Sequence, residues 1–262
     1  MTYNLIIALS IAMIFLATTL GSATVYLFKR GISAKTNTLI LGFAGGVMIA
    51  ASIFGLVIPS LEQSTSWGDF KFVPCCVGLI MGGLLFVIID KLVPHIHKSD
   101  MQEEGIKSHF KKSTKLFLAV TIHNVPEGLS VGLALGSALA INTSEAIMGA
   151  FGLAIGIAIQ NFPEGAVVSL PLKDSLQSKH KAFIYGMFSG LVEPIAAIFG
   201  LILASTITGL MPWFLAFSAG AMIFVTTEDL IPDAKFSPTS NLGSWGFLIG
   251  FIVMMVLDVS LG

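Results

Sequence analysis

Two stretches of this chain carry the same polar residue types in the same order, His123-Asn124-Val125-Pro126-Glu127-Gly128 and Gln160-Asn161-Phe162-Pro163-Glu164-Gly165. Each lies inside a long apolar run. On a helix, His123 and Glu127 are four residues apart and share one face, as do Gln160 and Glu164, while Asn124 and Asn161 stand three from the same glutamates and flank it. Two such faces opposed make a cage. The proline in each stretch has no N–H, so the carbonyls of Ile122 and Ile159 lose their helical partners and a kink or an opening is expected there. At membrane depth, freed carbonyls are tolerated only where they line a cavity or are buried in protein. An ionised glutamate at mid-membrane costs roughly 3 kcal/mol or more on insertion scales, so two of them close together call for a cation.

Further carboxylates converge from other apolar runs: Glu193 directly before Pro194, and the pair Glu228 and Asp229. One imidazole with several carboxylate and amide oxygens suits zinc, iron(II), manganese, cobalt or cadmium better than a thiolate-seeking ion such as copper(I). Glu228 and Asp229 read equally well as a cap or a pair near Pro232, and Met48 as packing. Asp90 and Asp258 fit structural roles toward opposite membrane faces.

The elements that must hold these residues are set by composition. Of 262 residues, 55% are hydrophobic and 11% charged, outside the range of a soluble domain. Roughly 20 apolar residues cross a bilayer. Eight such spans are expected, at roughly 5–28, 38–61, 75–94, 115–140, 145–171, 182–208, 212–232 and 243–261. They make one all-α membrane domain over 1–262, with a polar loop at about 95–114 and no room for a soluble domain. Lys29 and Arg30 follow the first run instead of preceding it, which reverses the layout of a signal peptide, so span one is expected to stay as an anchor. Cys75 and Cys76 are adjacent and supply neither a disulfide framework nor a CxxC metal site. Of 14 cations, 12 fall in the loops after spans one, three, five and seven. The positive-inside rule places those loops in the cytoplasm and both termini outside. His95, His97 and His109 in the loop of 95–114 could collect metal weakly, or be solvated surface.

An internal repeat points to transport before any ligand is considered. Gly78-Leu79-Ile80-Met81-Gly82 leading to Asp90 in span three matches Gly246-Phe247-Leu248-Ile249-Gly250 leading to Asp258 in span eight, and Gly46 to Pro59 in span two resembles Gly220 to Pro232 in span seven. Spans one to three thus pair with six to eight. Five helices separate the starts of the two units, so the second crosses from the opposite face, as in transporters that work by alternating access. The GxxxG pairs of spans three and eight serve either internal packing or a homodimer.

The paired HNxPEG and QNxPEG helices resemble the ZIP (Zrt/Irt-like) metal transporter family, in its bacterial GufA-like branch, over essentially the whole chain. The resemblance implies eight helices in a 3+2+3 arrangement, both termini outside, and a binuclear site. In that site His123, Gln160 and Met48 would serve one metal, Asn124, Asn161 and Glu193 the second, and Glu127 and Glu164 would bridge both. It also implies that spans one, four, five and six move against the others, and a dimer through spans three and eight. Many relatives have His where Gln160 stands and some have Asp where Asn161 stands, changes that bear on the second position and on ion preference.

Two other readings compete. An intramembrane metalloprotease would need HExxH, and the spans hold no second histidine. ATP-driven pumping would need a GxxxxGK[ST] loop, which is missing. A selective metal channel remains the alternative to a carrier. The expectation is therefore a multi-pass protein of the cell (cytoplasmic or inner) membrane, not an enzyme. Its partners would be metal ions and lipid, with no nucleic acid and no catalytic cofactor. With the native cysteines replaced, a single cysteine at position 2 should react with an impermeant reagent on intact cells and one in the 98–114 loop should not; the reverse pattern would refute the topology.

Overall fold

With so little polar sequence, the helices must cross the hydrocarbon and hide their few polar groups against one another. The computed structural model describes residues 2–28, 32–96, 103–234 and 240–261. Met1, Lys29, Arg30, His97, Lys98, Lys235 and Gly262, which enter the topology and loop readings, lie outside them. Among the described residues eight helices are long and apolar enough to span a bilayer. They are α1 (Tyr3–Tyr26), α2 (Ala34–Glu62), α3 (Phe72–Leu92), α4 (Ser113–Ile141), α5 (Ser144–Leu176), α6 (Lys179–Thr206), α7 (Thr208–Asp233) and α8 (Leu242–Leu261). Each expected span coincides with one of them to within a few residues.

The helices bearing the two clusters are joined by two residues. Asn142 adopts the left-handed conformation (φ 59°) that closes α4, and the Thr143 hydroxyl caps α5 by accepting from the Ala146 N–H at 3.2 Å. So short a link makes α4 and α5 antiparallel neighbours. Both stay helical through Pro126 and Pro163 without the expected opening. α5 runs past Pro171 as well, to a left-handed Gln177.

The dominant packing pairs are α1 with α5, α4 with α6, α2 with α8 and α3 with α7. Glycines let them approach. A side chain at Gly46 would meet the Phe247 carbonyl, and one at Gly82 the Phe217 carbonyl; Gly250 sits likewise against Phe43. The GxxxG glycines of spans three and eight are thus spent on contacts within the chain. The other faces of these helices, with Ile80, Leu84, Ile88, Trp245, Leu248 and Ile252, are exposed.

Three helices depart from regular geometry. α6 breaks at Leu191, between helical segments Lys179–Gly190 and Val192–Thr206, just before Glu193 and Pro194. α2 and α7 each contain a π turn, at Ile53–Val57 and Thr226–Leu230, two residues before Pro59 and Pro232. Each proline denies a hydrogen bond to the carbonyl four residues back, Gly55 or Glu228, and both of these lie inside the wide turn.

The loop after α3 differs from expectation. His95–Ile96 pairs antiparallel with Glu103–Glu104, and His95 is buried, with Nδ1 2.8 Å from the Val93 carbonyl and Nε2 3.0 Å from Asp90 Oδ1. His109 stays exposed. The imidazole of His95 is thus committed to closing the end of α3 and does not face solvent beside His109. Because a Cβ at Gly46 meets backbone and one at Gly209 meets nothing within 4 Å, Gly46→Ala should cost about 1–3 kcal/mol by overpacking. Gly209→Ala should be near neutral, and thermal unfolding in detergent reads the difference.

Candidate metal site between α4 and α5

The clusters face each other through amides and carboxylates. Asn124, Glu127, Gln160, Asn161, Glu164 and Glu193 are all buried. Glu127 stands within electrostatic reach of Glu164 and Glu193, beside the Gln160 amide. The Gln160 Nε2–H donates to Asn161 Oδ1 at 2.7 Å. Asn124 Nδ2–H donates to Glu193 Oε1 at 3.0 Å and to the Ser189 carbonyl at 3.1 Å, and Asn161 Nδ2–H donates to Glu193 Oε2. The α1 hydroxyl of Thr18 also donates to Glu193 Oε1, at 2.7 Å.

The glycine ending each motif now has a reason. A side chain at Gly128 would collide with the backbone of Glu193, and one at Gly165 with the Thr18 carbonyl. Only glycine lets α6 and α1 come that close to α4 and α5.

His123 points elsewhere, with Nε2 2.9 Å from Asp229 Oδ2 of α7 and its ring 6.2 Å from that of the buried Phe86. Met48 of α2 is fully buried, and its thioether lies 3.7 Å from the hydroxyl of Thr226, three residues before Asp229. His123 and Met48 thus meet the same turn of α7 by separate routes. Further along α4, the Ser130 hydroxyl contacts Ser218 Oγ at 2.9 Å and Met222 Sδ at 2.6 Å.

Within this ring of donors some acceptors are left over. Among the described residues no donor in hydrogen-bonding geometry reaches Asn124 Oδ1 or Gln160 Oε1, and for its two oxygens Glu127 has at most the side-chain amide of Gln160. Such orphaned oxygens are costly in a protein interior, and a cation is the partner that satisfies them together. No three His, Cys, Asp or Glu side chains among the described residues converge closely enough to hold a metal ion. The amide oxygens must therefore join the carboxylates in any coordination shell, which matches the oxygen-rich chemistry read from the sequence.

The reading from spacing missed Thr18 and gave Asp229 too little weight. A lone threonine in an apolar helix carries no signal. Asp229 is displaced by the π turn, which breaks the periodicity from which its face would be judged.

Eight crossing helices closed around buried carboxylates and amides are the build of a membrane transporter for divalent cations. The profile of the ZIP zinc transporter family matches residues 113–258, from the start of α4 into α8. The chain is 36% identical to zinc transporter ZIP11 of Xenopus tropicalis over 94% of each protein. It is 33% identical to zinc transporter GufA of Myxococcus xanthus over 94% of this chain and 95% of that one, and 33% identical to zinc transporter ZIPB of Bordetella bronchiseptica over 95% of this chain and 79% of that one. This chain belongs to the ZIP family of metal transporters, with GufA among its relatives, and is a multi-pass protein of the cell membrane.

The Asp229 contact makes a prediction of its own. A carboxylate that orients a ligating imidazole is worth about 10–100-fold in metal affinity. Asp229→Asn should therefore fold normally and raise the zinc concentration for half-maximal uptake by about tenfold.

Proposed function

We propose that the chain carries zinc, and with it cadmium, iron(II), manganese and cobalt, into the cytoplasm by alternating access through the cage between α4 and α5. The observation that carries this reading is a set of buried acceptor oxygens short of donors: among the described residues Asn124 Oδ1 and Gln160 Oε1 have none, and the Glu127 carboxylate has at most the Gln160 amide. They await a cation, and the family membership says that cations are moved. Met48, His123, Gln160, Glu127, Glu164 and the Asn124 oxygen are the ligands we assign to the travelling ion, while Asn161 and Glu193 are assigned to the hydrogen-bonded support behind Asn124.

A route to the cage is supported on the lysine-poor side. There a cavity of about 580 Å³ is lined by Glu62, Gln63, Ser137, Glu145 and Asp258 among others. Along α4 the polar residues His123, Glu127, Ser130 and Ser137 follow at intervals of four, three and seven, one continuous face leading from that cavity to Asp229. Carboxylates at the mouth raise the local concentration of divalent cations.

Alternating access is supported by the pattern of helix pairs. Exchanging helix one for six, two for seven, three for eight and four for five turns α1–α5 into α6–α4, and α2–α8 into α7–α3, all of which are major contacts. The two π turns exchange with one another as well. A two-fold relation of this kind lets one set of helices rock between mirror-related states. A homodimer, if formed through α3 and α8, would use their exposed aliphatic faces. Transport leaves no hydrolytic role for the cluster.

The test is uptake of zinc, cadmium, iron(II), manganese and cobalt by reconstituted vesicles. Saturation at low metal and counterflow should mark a carrier, and linear flux without counterflow would mark a channel. Glu164→Ala should reduce flux of every ion to background while membrane expression persists, because deleting a buried acid removes a desolvation cost. Near-normal flux in well-expressed Glu164→Ala protein would overturn the site. Asn161→Asp should keep transport and alter the preference among the ions.

A further inference from the structure

Both carboxylate oxygens of Glu193 receive donors. Oε1 accepts from Thr18 Oγ1 at 2.7 Å and Asn124 Nδ2 at 3.0 Å, and Oε2 accepts from Asn161 Nδ2. Asn161 Oδ1 is taken in turn by Gln160 Nε2 at 2.7 Å. The residue is completely buried, and the half-helix that begins at Val192 places it in a first turn, where a negative charge is favoured.

For Asn124, Asn161 and Glu193 to ligate an ion together, both amides would have to present oxygen to the metal. Both present N–H to Glu193, and the oxygen of one of them, Asn161 Oδ1, is already held by Gln160 Nε2. Flipping Asn161 would set its oxygen against a carboxylate oxygen and give up the bonds on both sides of it. An aspartate at 161 would have no N–H to offer and would set a second charge beside Glu193, an arrangement that demands a cation. The asparagine found here supplies the donor and removes the demand. Asn124 Oδ1 and Gln160 Oε1 receive no donor among the described residues.

We infer that this chain binds one divalent ion at a time: Glu193, held by Thr18, Asn124 and Asn161, is a hydrogen-bonded strut joining α1, α4, α5 and α6, and not a ligand of a second ion. The inference rests on the transport reading and sharpens its stoichiometry. It also ties four helices together at a single carboxylate, carried by α6 and given one side-chain donor each by α1, α4 and α5.

The experiment counts zinc per chain on the purified full-length protein in detergent, by mass spectrometry of bound metal after equilibration at a fixed free zinc concentration. Comparison with Glu127→Ala removes any contribution from surface histidines. The expected loss from wild type to Glu127→Ala is one zinc per chain. A loss of two would overturn the inference, whereas no loss would overturn the transport site itself. Glu193→Gln should keep the bound ion with affinity within about threefold, far from the 10–100-fold cost of disturbing even an outer-shell partner of a metal ligand. Should Glu193→Gln not fold, Thr18→Val serves in its place, with the same count expected. Asn161→Asp should take up one more zinc than wild type; an unchanged count would remove Asn161 as the cause and the inference with it.

Discussion

Everything in this molecule answers to the repulsion among three glutamates buried in a bilayer-spanning bundle. Glu127, Glu164 and Glu193 lie close enough to raise one another's energy, in surroundings made of amides, hydroxyls and apolar side chains. Low dielectric magnifies that repulsion and leaves few ways to relieve it. Hydrogen bonds relieve it at Glu193, where three donors meet. At Glu127 the donor beside the carboxylate is the side-chain amide of Gln160, and on the transport reading the rest of the relief comes from the cargo. The division of labour between donors fixed in the protein and a positive charge that arrives from outside is the physical basis of binding.

Holding these groups at contact distance requires backbones that nearly touch. Gly128 and Gly165 admit α6 and α1 to the cage, while Gly46, Gly82 and Gly250 lock α2 to α8 and α3 to α7. In lipid there is little hydrophobic force to drive helices together, so close van der Waals packing does that work. The site and its frame are thus built by the same device, applied to different helix pairs.

Much of this was legible in the chain itself. Hydropathy over some twenty residues is a coarse property, and the eight spans followed from it to within a few positions. The opposed clusters were legible because residues three and four apart must share a helical face. What stayed hidden depends on partners or on irregular turns. Spacing alone does not say which helix a GxxxG face will meet, and here both such faces turned inward. His95 reads as a solvated loop residue until the hairpin that follows folds it against Asp90. Pro126 and Pro163 argued for open helices, yet packing on both sides keeps them wound. Thr18 has no sequence signature at all, and its importance comes only from its reach to Glu193.

The π turn at Thr226–Leu230 makes chain length, as well as residue identity, a variable in the chemistry of the pathway. A wide turn holds one residue more than an α turn over the same rise, so a single-residue deletion there restores ordinary winding without disturbing the helix on either side. Such a deletion leaves both flanks in register and changes only which residues of the turn itself face the neighbouring helices. Whether an acid, a hydroxyl or an aliphatic side chain faces His123 would then change with no substitution at any position. Insertions and deletions confined to this turn, and to its counterpart at Ile53–Val57, offer lineages of the protein a route to new ion preferences that an alignment scored only by substitutions would overlook.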